Sequence, residues 1–407
     1  MNKKIFYILF ALLFFSCQSL GLNKNNPKVW NKGAMVSAAN PYAVKAAISI
    51  LEKGGSATDA AIAAHLVLGL VEPQSSGLGG GGFILNYDFK TNNLTFIDGR
   101  ETAPASAKID MFMKDDGNVM SFMEAVPSGK AVGTPGIVAL YETAHKAYGL
   151  LPWPMLFEDA INLSKNGFIV SPRLANYVEL AKKRGRLSKN PLTKKYFYPN
   201  GVKIKSGDLL KNPEYANTLK AIAKEGAIAF YNSNIAKEIV SAVNADPHPG
   251  EMTLVDLKNY NAVLRPVICG PFRNMKICTT SPPSSGGAQI MIAGLYDQLI
   301  NNESNESEKI SAFVDAQRLA YADRDHFFGD PDEVNIPLEA LLDPKYIRDR
   351  AKQRFLPDAI PTPGDPSSII DTLANFPTWG KDNTVEAAGT THLSIIDQNG
   401  NAVSMTA

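Results

Sequence analysis

The sequence has few of the residues that hold metals, no excess charge of either sign, and no long apolar run past its first residues. Its five histidines, His65, His145, His248, His326 and His392, are scattered, with no HExxH pair at ligand spacing, so no metal site is read. Only three cysteines occur, Cys17, Cys269 and Cys278, too few for a fold stapled by many disulfides. Lys and Arg total 41 against 40 Asp and Glu. That balance offers nothing to attract a nucleic acid or an anionic membrane surface. Gly77, Gly79 and Gly82 satisfy GxGxxG on paper, but a hairpin pattern follows them. A dinucleotide site needs a helix there, with its N-terminus on the pyrophosphate. No P-loop lysine follows either, so no nucleotide and no other cofactor is expected.

What is present is an ordinary globular composition, 45% apolar and 20% charged over 407 residues, enough for one large or two modest domains. Lys3 and Lys4 precede an apolar run from Ile5 to Phe15, then Ser16 and Cys17. That is a signal-peptide pattern, too short for a bilayer span of about 20 residues. A small residue before cysteine resembles a bacterial lipoprotein cleavage site with Cys17 acylated; plain secretion is the other reading. Both place the body of the protein outside the cytoplasm, in the periplasm or on a membrane through a lipid anchor. The expected division is signal peptide 1–16, polar tether 17–32, a large region 33–389 and a short one 390–407.

Asn40-Pro41 predicts a helix start, with Val44, Ala47, Ile48 and Leu51 as its buried stripe and Gly54-Gly55 as its end. An alanine-rich helix follows over 58–70. The glycines of 77–82 are read as a tight turn close to something that a side chain would obstruct, before strands at 83–87 and 94–97. Amphipathic helices at 154–165, 214–225 and 233–243 read as a covering layer. A hairpin over 267–280 turns at Arg273-Asn274 and sets Cys269 opposite Cys278 in a non-hydrogen-bonded pair, with Cα atoms about 4.5 Å apart. In an oxidising compartment the two form a candidate disulfide; two unlinked strand cysteines is the alternative. After 281–287 a helix starts near Ala288, 302–308 is a polar turn, and a helix over 309–325 buries Phe313, Val314, Ala320 and Tyr321. Residues 356–388 are Pro-rich and irregular, long for a loop inside a compact domain. Strands at 391–396 and 402–406 flank Asn399-Gly400, where a two-residue turn pairs Ile396 with Val403 and His392 with Ala407. The sum is a mixed α/β (α+β) protein with a mainly antiparallel core.

The chemistry concentrates at Gly389-Thr390-Thr391-His392. A glycine before the threonine leaves the scissile carbonyl unshielded and tolerates strained angles. Thr390 can shift that acyl group from nitrogen to its own oxygen, and water then releases a chain beginning at Thr390. Its new α-amine, with an ordinary pKa of about 7.7 to 8.0, serves as base for its own hydroxyl. Gly54-Gly55-Ser56-Ala57-Thr58-Asp59-Ala60-Ala61, Gly77-Leu78-Gly79-Gly80-Gly81-Gly82-Phe83, Asp98-Gly99-Arg100-Glu101-Thr102-Ala103-Pro104, Pro282-Pro283-Ser284-Ser285-Gly286-Gly287, Tyr321-Ala322-Asp323-Arg324 with Gly329-Asp330-Pro331, and Gly389-Thr390-Thr391-His392 together resemble the γ-glutamyltransferase family, in order and rough spacing.

The resemblance implies a four-layered αββα N-terminal-nucleophile sandwich, cut between Gly389 and Thr390 into a large and a small subunit. It also implies transfer of the γ-glutamyl group of glutathione and related amides through an ester on Thr390. Arg100 matches the arginine that binds the glutamyl α-carboxylate; a surface ion pair with Glu101 is the plainer reading. Arg100 and Thr390 are then expected to line one cleft. Ser284 and Ser285 are read as structural, and Asp323, Arg324, Asp325 and His326 as a solvated or ion-paired helix end. Only 18 residues follow Gly389, whereas the family continues through further strands. The expectation is therefore a fragment that neither cleaves itself nor turns over alone, or half of a protein completed by a separately encoded small subunit. A β-lactam side-chain acylase and a non-catalytic lipoprotein remnant are the competing readings.

Overall fold

The computed structural model describes residues 33–183, 187, 190–245, 248–370 and 389–407. The predicted signal peptide, the tether with Cys17, and the stretch 371–388 of the Pro-rich loop lie outside the described residues. Among the described residues no helix is long and apolar enough to cross a membrane.

The strands are β1 (Met35–Ser37), β2 (Gly82–Asp88), β3 (Asn93–Gly99), β4 (Phe168–Ile169), β5 (Leu209–Leu210), β6 (Val263–Arg265), β7 (Val267–Phe272), β8 (Met275–Thr280), β9 (His392–Ile396) and β10 (Ala402–Thr406). Six of them form one antiparallel sheet in the order β1-β9-β10-β2-β3-β6. The helices that position the site are α1 (Pro41–Glu52), α2 (Ala57–Val71), α3 (Ile137–Tyr148), α4 (Glu158–Asn166), α5 (Pro213–Glu225), α6 (Asn234–Val243), α7 (Gly286–Leu299), α8 (Glu306–Phe327) and α9 (Pro344–Ala351).

Helix α2 lies at the centre. Ser56 and Asp59 form its capping box, and Asp59 also accepts from the Leu150 and Leu151 amides. Its alanines are fully covered, because methyl side chains let α1, α3 and α4 approach on one side and β9 and β10 on the other. The sheet's alternation follows: Ile84, Ile97, Leu393, Ile395, Val403 and Met405 point into this core. A second core joins α7, α8 and α9 through Met291, Leu295, Leu319, Phe327 and Ile347. It backs the β7–β8 hairpin, which in turn meets β2 and β3.

Four expectations need correction. Helix α1 buries Ala43, Ala46, Ala47, Ile50 and Leu51 while Ile48 faces out, because the alanine stripe allows the closer approach to α2. Helix α8 starts earlier than predicted, since Asn305 and Glu308 make a capping box inside the supposed polar turn. Its Phe313, Val314 and Tyr321 are exposed, and Ala312, Ala316, Leu319, Ala320 and Phe327 are buried instead. The β9–β10 turn is one residue longer than a two-residue hairpin. Ile396 pairs with Ala402, His392 with Thr406, and Thr391 with Ala407 through two backbone bonds. The cause is Asp397, whose carboxylate accepts from the Asn399 and Asn401 amides and favours a three-residue loop with Gly400 at φ +83°. The other Asp397 oxygen accepts from Ala57 N–H, tying this hairpin to the start of α2.

Candidate active site

The sheet face turned away from α2 forms one wall of a cleft of about 980 Å³, with Phe83, Leu85, Asp98, His392, Ser404 and Thr406 along it. Residues from β8, from the 283–285 turn and from the end of α8 form the other wall. Just before the cleft residue Phe83, two glycines of the 77–82 turn are required by space. A Cβ on Gly81 would stand 2.6 Å from the Gly99 carbonyl oxygen, and one on Gly82 2.8 Å from that of Thr406. Gly77 and Gly79 face open space, so the predicted close approach holds only for the later glycines.

The two threonines differ in burial. Thr391, 4% exposed, follows Leu393 and Ile395 onto the core face, where its hydroxyl is buried. Thr390, one residue earlier and outside the paired strand, is exposed; of the pair expected to share a cleft, Arg100 is among the lining residues and Thr390 is not. His392 lines the cleft, with Nδ1 2.8 Å from Thr406 Oγ1 and Nε2 3.1 Å from Ser394 Oγ. Both ring nitrogens are thus engaged by hydroxyls, and burial pulls the imidazole below its usual pKa.

Arg100 lines the same cleft, largely exposed, with Nε 3.6 Å from Glu101 Oε2. The ion pair named as its plainer reading is therefore present, though at this exposure it contributes little. The Arg100 backbone is held on both sides: its N–H donates to Asp98 Oδ1 at 2.8 Å, and its carbonyl accepts from Tyr260 OH at 2.7 Å. Arg265 Nε donates to Asp98 Oδ2 at 2.6 Å, and its two terminal nitrogens donate to the two oxygens of Asp332 at 3.0 and 2.5 Å. These carboxylates, Asp332 first, hold the guanidinium well above its usual pKa, against the opposing effect of burial. Burial, with Asp98 and Glu101 nearby, pushes the Tyr260 phenol up, so it remains a donor.

The sequence reading overlooked Asp98, Tyr260, Arg265 and Asp332. Asp98 lay inside a quoted motif, but the other three are remote in sequence and carry no local pattern. Ser284 accepts from Gly286 N–H and sits 2.5 Å from Thr280 Oγ1, a turn-holding role as read, while also lining the cleft with Ser285. Asp323 is ion-paired but fully buried rather than solvated, bound to Arg350 at 2.9 Å, to Tyr346 OH and to Gly364 N–H. Arg324 and Asp325 pair at 2.8 Å. Cys269 and Cys278 are opposite each other, disulfide-bonded, with Cα atoms 4.1 Å apart. Among the described residues no cluster of potential metal ligands occurs.

Helices layered on an antiparallel sheet define an α+β fold, and the solved structures it resembles place it in the N-terminal-nucleophile class. The chain belongs to the gamma-glutamyltranspeptidase family, whose family model matches residues 43–407. It is 37% identical over 381 residues to the glutathione hydrolase proenzyme of Bacillus subtilis (strain 168), covering 92% of this chain and 64% of that protein. The chain thus spans a little under two thirds of that relative. Among solved structures it is similar to the gamma-glutamyltranspeptidase of Pseudomonas nitroreducens complexed with L-DON, at 32% identity and a TM-score of 0.73 over 82% of this chain and 97% of that one. It is also similar to a cephalosporin acylase of Bacillus halodurans, at 25% identity and a TM-score of 0.78 over 96% and 68%.

Proposed function

We propose that the protein serves γ-glutamyl transfer or hydrolysis through Thr390, after self-cleavage between Gly389 and Thr390, together with the further small-subunit strands that the family resemblance implies. What supports this reading is the side-chain alternation of β9, which, carried back through the paired Thr391, assigns Thr390 to the side of His392, and His392 and Arg100 line the same cleft. In the first step Thr390 Oγ1 attacks the Gly389 carbonyl carbon and the C–N bond breaks, leaving an ester and a free Thr390 amine. Water hydrolyses the ester to a Gly389 carboxylate and restores the hydroxyl. In the second step the amine takes the Thr390 hydroxyl proton as Oγ1 attacks the γ-carbonyl of the donor, then gives it to the departing amine. Water or an acceptor amine releases the γ-glutamyl group. Arg100 holds the α-carboxylate of the donor as a fork.

The proposed ligands are glutathione and other γ-glutamyl compounds, with a small subunit beginning at Thr390, or supplied by a separate chain. Export with acylation at Cys17 is proposed on the N-terminal pattern alone. A cephalosporin side-chain amide is the second reading, favoured by the similarity to the Bacillus halodurans acylase; the exposed guanidinium of Arg100 favours an α-carboxylate donor instead. N-terminal sequencing tests the cut, and release of anilide from a γ-glutamyl anilide tests the turnover. A cut elsewhere, or anilide release that persists in Thr390→Ala, overturns the reading.

A further inference from the structure

We propose that Arg265 is a positioning residue for donor binding, acting on Arg100 through Asp98. The inference rests on the reading of Arg100 as the carboxylate-binding group, and extends it to residues on a separate strand and loop.

Arg100 is the first residue after β3, and little but its backbone attachment fixes where its exposed side chain starts. That attachment has one anchor on each side: Asp98 takes its amide proton and Tyr260 donates to its carbonyl. Asp98 is nearly buried, at 5% exposure. Such a carboxylate requires a partner, since an unpaired buried charge is costly. Arg265 is that partner, with Nε at 2.6 Å, while the rest of its guanidinium grips Asp332 through two parallel bonds. One planar group therefore spans β6, the end of β3 and the loop after α8, the last two being opposite walls of the cleft. Lysine has a single compact ammonium and cannot reproduce a contact that uses three nitrogens in a fixed fork. Removing the guanidinium frees Asp98 to turn toward water, loosens the Arg100 amide and lets the Asp332 loop move off the sheet.

The test is a double-substitution cycle on the full chain carrying Thr390→Ala, so that the probe, glutathione, is not turned over, with its dissociation constant read by titration calorimetry; the reference, called wild type, is Thr390→Ala itself. Arg265→Gln is expected to weaken binding about 10- to 100-fold, the scale of one charge-assisted hydrogen bond between Arg100 and the donor carboxylate, and Arg265→Lys to restore only part of it. In an Arg100→Ala background the Arg265→Gln change is expected to have no further effect, because its target is already gone. Arg265→Gln that binds as wild type, or full additivity of the two changes, overturns the positioning role while leaving Arg100 as the carboxylate site. Arg100→Ala that binds as wild type, or wild type that does not bind glutathione, overturns both. Circular dichroism and the unfolding midpoint of each variant separate lost folding from lost affinity; where Arg265→Gln does not fold, Asp332→Asn, on the exposed side of the same guanidinium, is read in its place.

Discussion

At the scale of single residues, the site turns on which way side chains leave the backbone. With the small-subunit strands supplied, Thr390→Ala should abolish both the cut after Gly389 and turnover, read as an intact mass and no anilide release. Thr390→Ser should retain both at reduced rate because a hydroxyl remains. Thr391→Ser is a contrasting probe: Thr391 lies on the buried face, so loss of its methyl should lower stability by about 1 kcal/mol with little change in turnover. Gly81 is the other decisive position. Its hypothetical Cβ meets the Gly99 carbonyl and the Glu101 amide, backbone atoms that cannot rotate aside. Gly81→Ala is therefore expected to cost about 1 to 3 kcal/mol, measured by denaturant unfolding, and to weaken donor binding by shifting the segment that bears Arg100.

At the scale of elements, the outer unit formed by the β7–β8 hairpin and helices α7 to α9 has its own supports. Reducing the Cys269–Cys278 link, which closes a separation of nine residues, should remove about 2 to 3 kcal/mol, seen as a lower unfolding midpoint in reductant. Arg350→Met should cost roughly 3 to 5 kcal/mol, because Asp323 is left charged and fully buried. Asp323→Leu combined with Arg350→Met should cost less than Arg350→Met alone. Most elements were legible from period and composition, since the Asn40-Pro41 cap, the alanine-rich run after Thr58 and the alternation of β2, β3 and β9 act locally; the Ser56 and Asp59 capping box was not read. The stripe of α8 was not. Phe313 and Val314 are the more apolar choice on sequence grounds, yet the buried side is the alanine side that meets α7 and places Asp323 beside Arg350. The β9–β10 register was missed because Asn399-Gly400 alone favours a two-residue turn, whereas the Asp397 carboxylate fixes a longer one.

At the scale of the molecule, stability should depend on pH through α2. His65 is buried against Tyr141, and burial lowers its pKa from 6.5 to about 4. Its folded pKa lies below its unfolded one, so between those values the unfolded chain binds more protons. The stabilising effect is complete above about pH 6.5 and is lost as pH falls toward about 4, amounting to about 3 kcal/mol. Unfolding free energy measured across that window should rise with pH, and His65→Gln should flatten that part of the profile.

The family, the Asn40-Pro41 helix start, the facing of Cys269 and Cys278 and the candidate nucleophile were legible in the sequence, because each depends on neighbours within a few residues or on motifs kept in order. Tertiary structure decided that the Thr391 side chain is buried in the core, and which remote groups hold Arg100 in place. Asp98, Tyr260, Arg265 and Asp332 come from four separate segments, and no local periodicity brings them together. Only folding β3 beside β6, and laying the loop after α8 across their ends, sets one guanidinium within reach of two carboxylates.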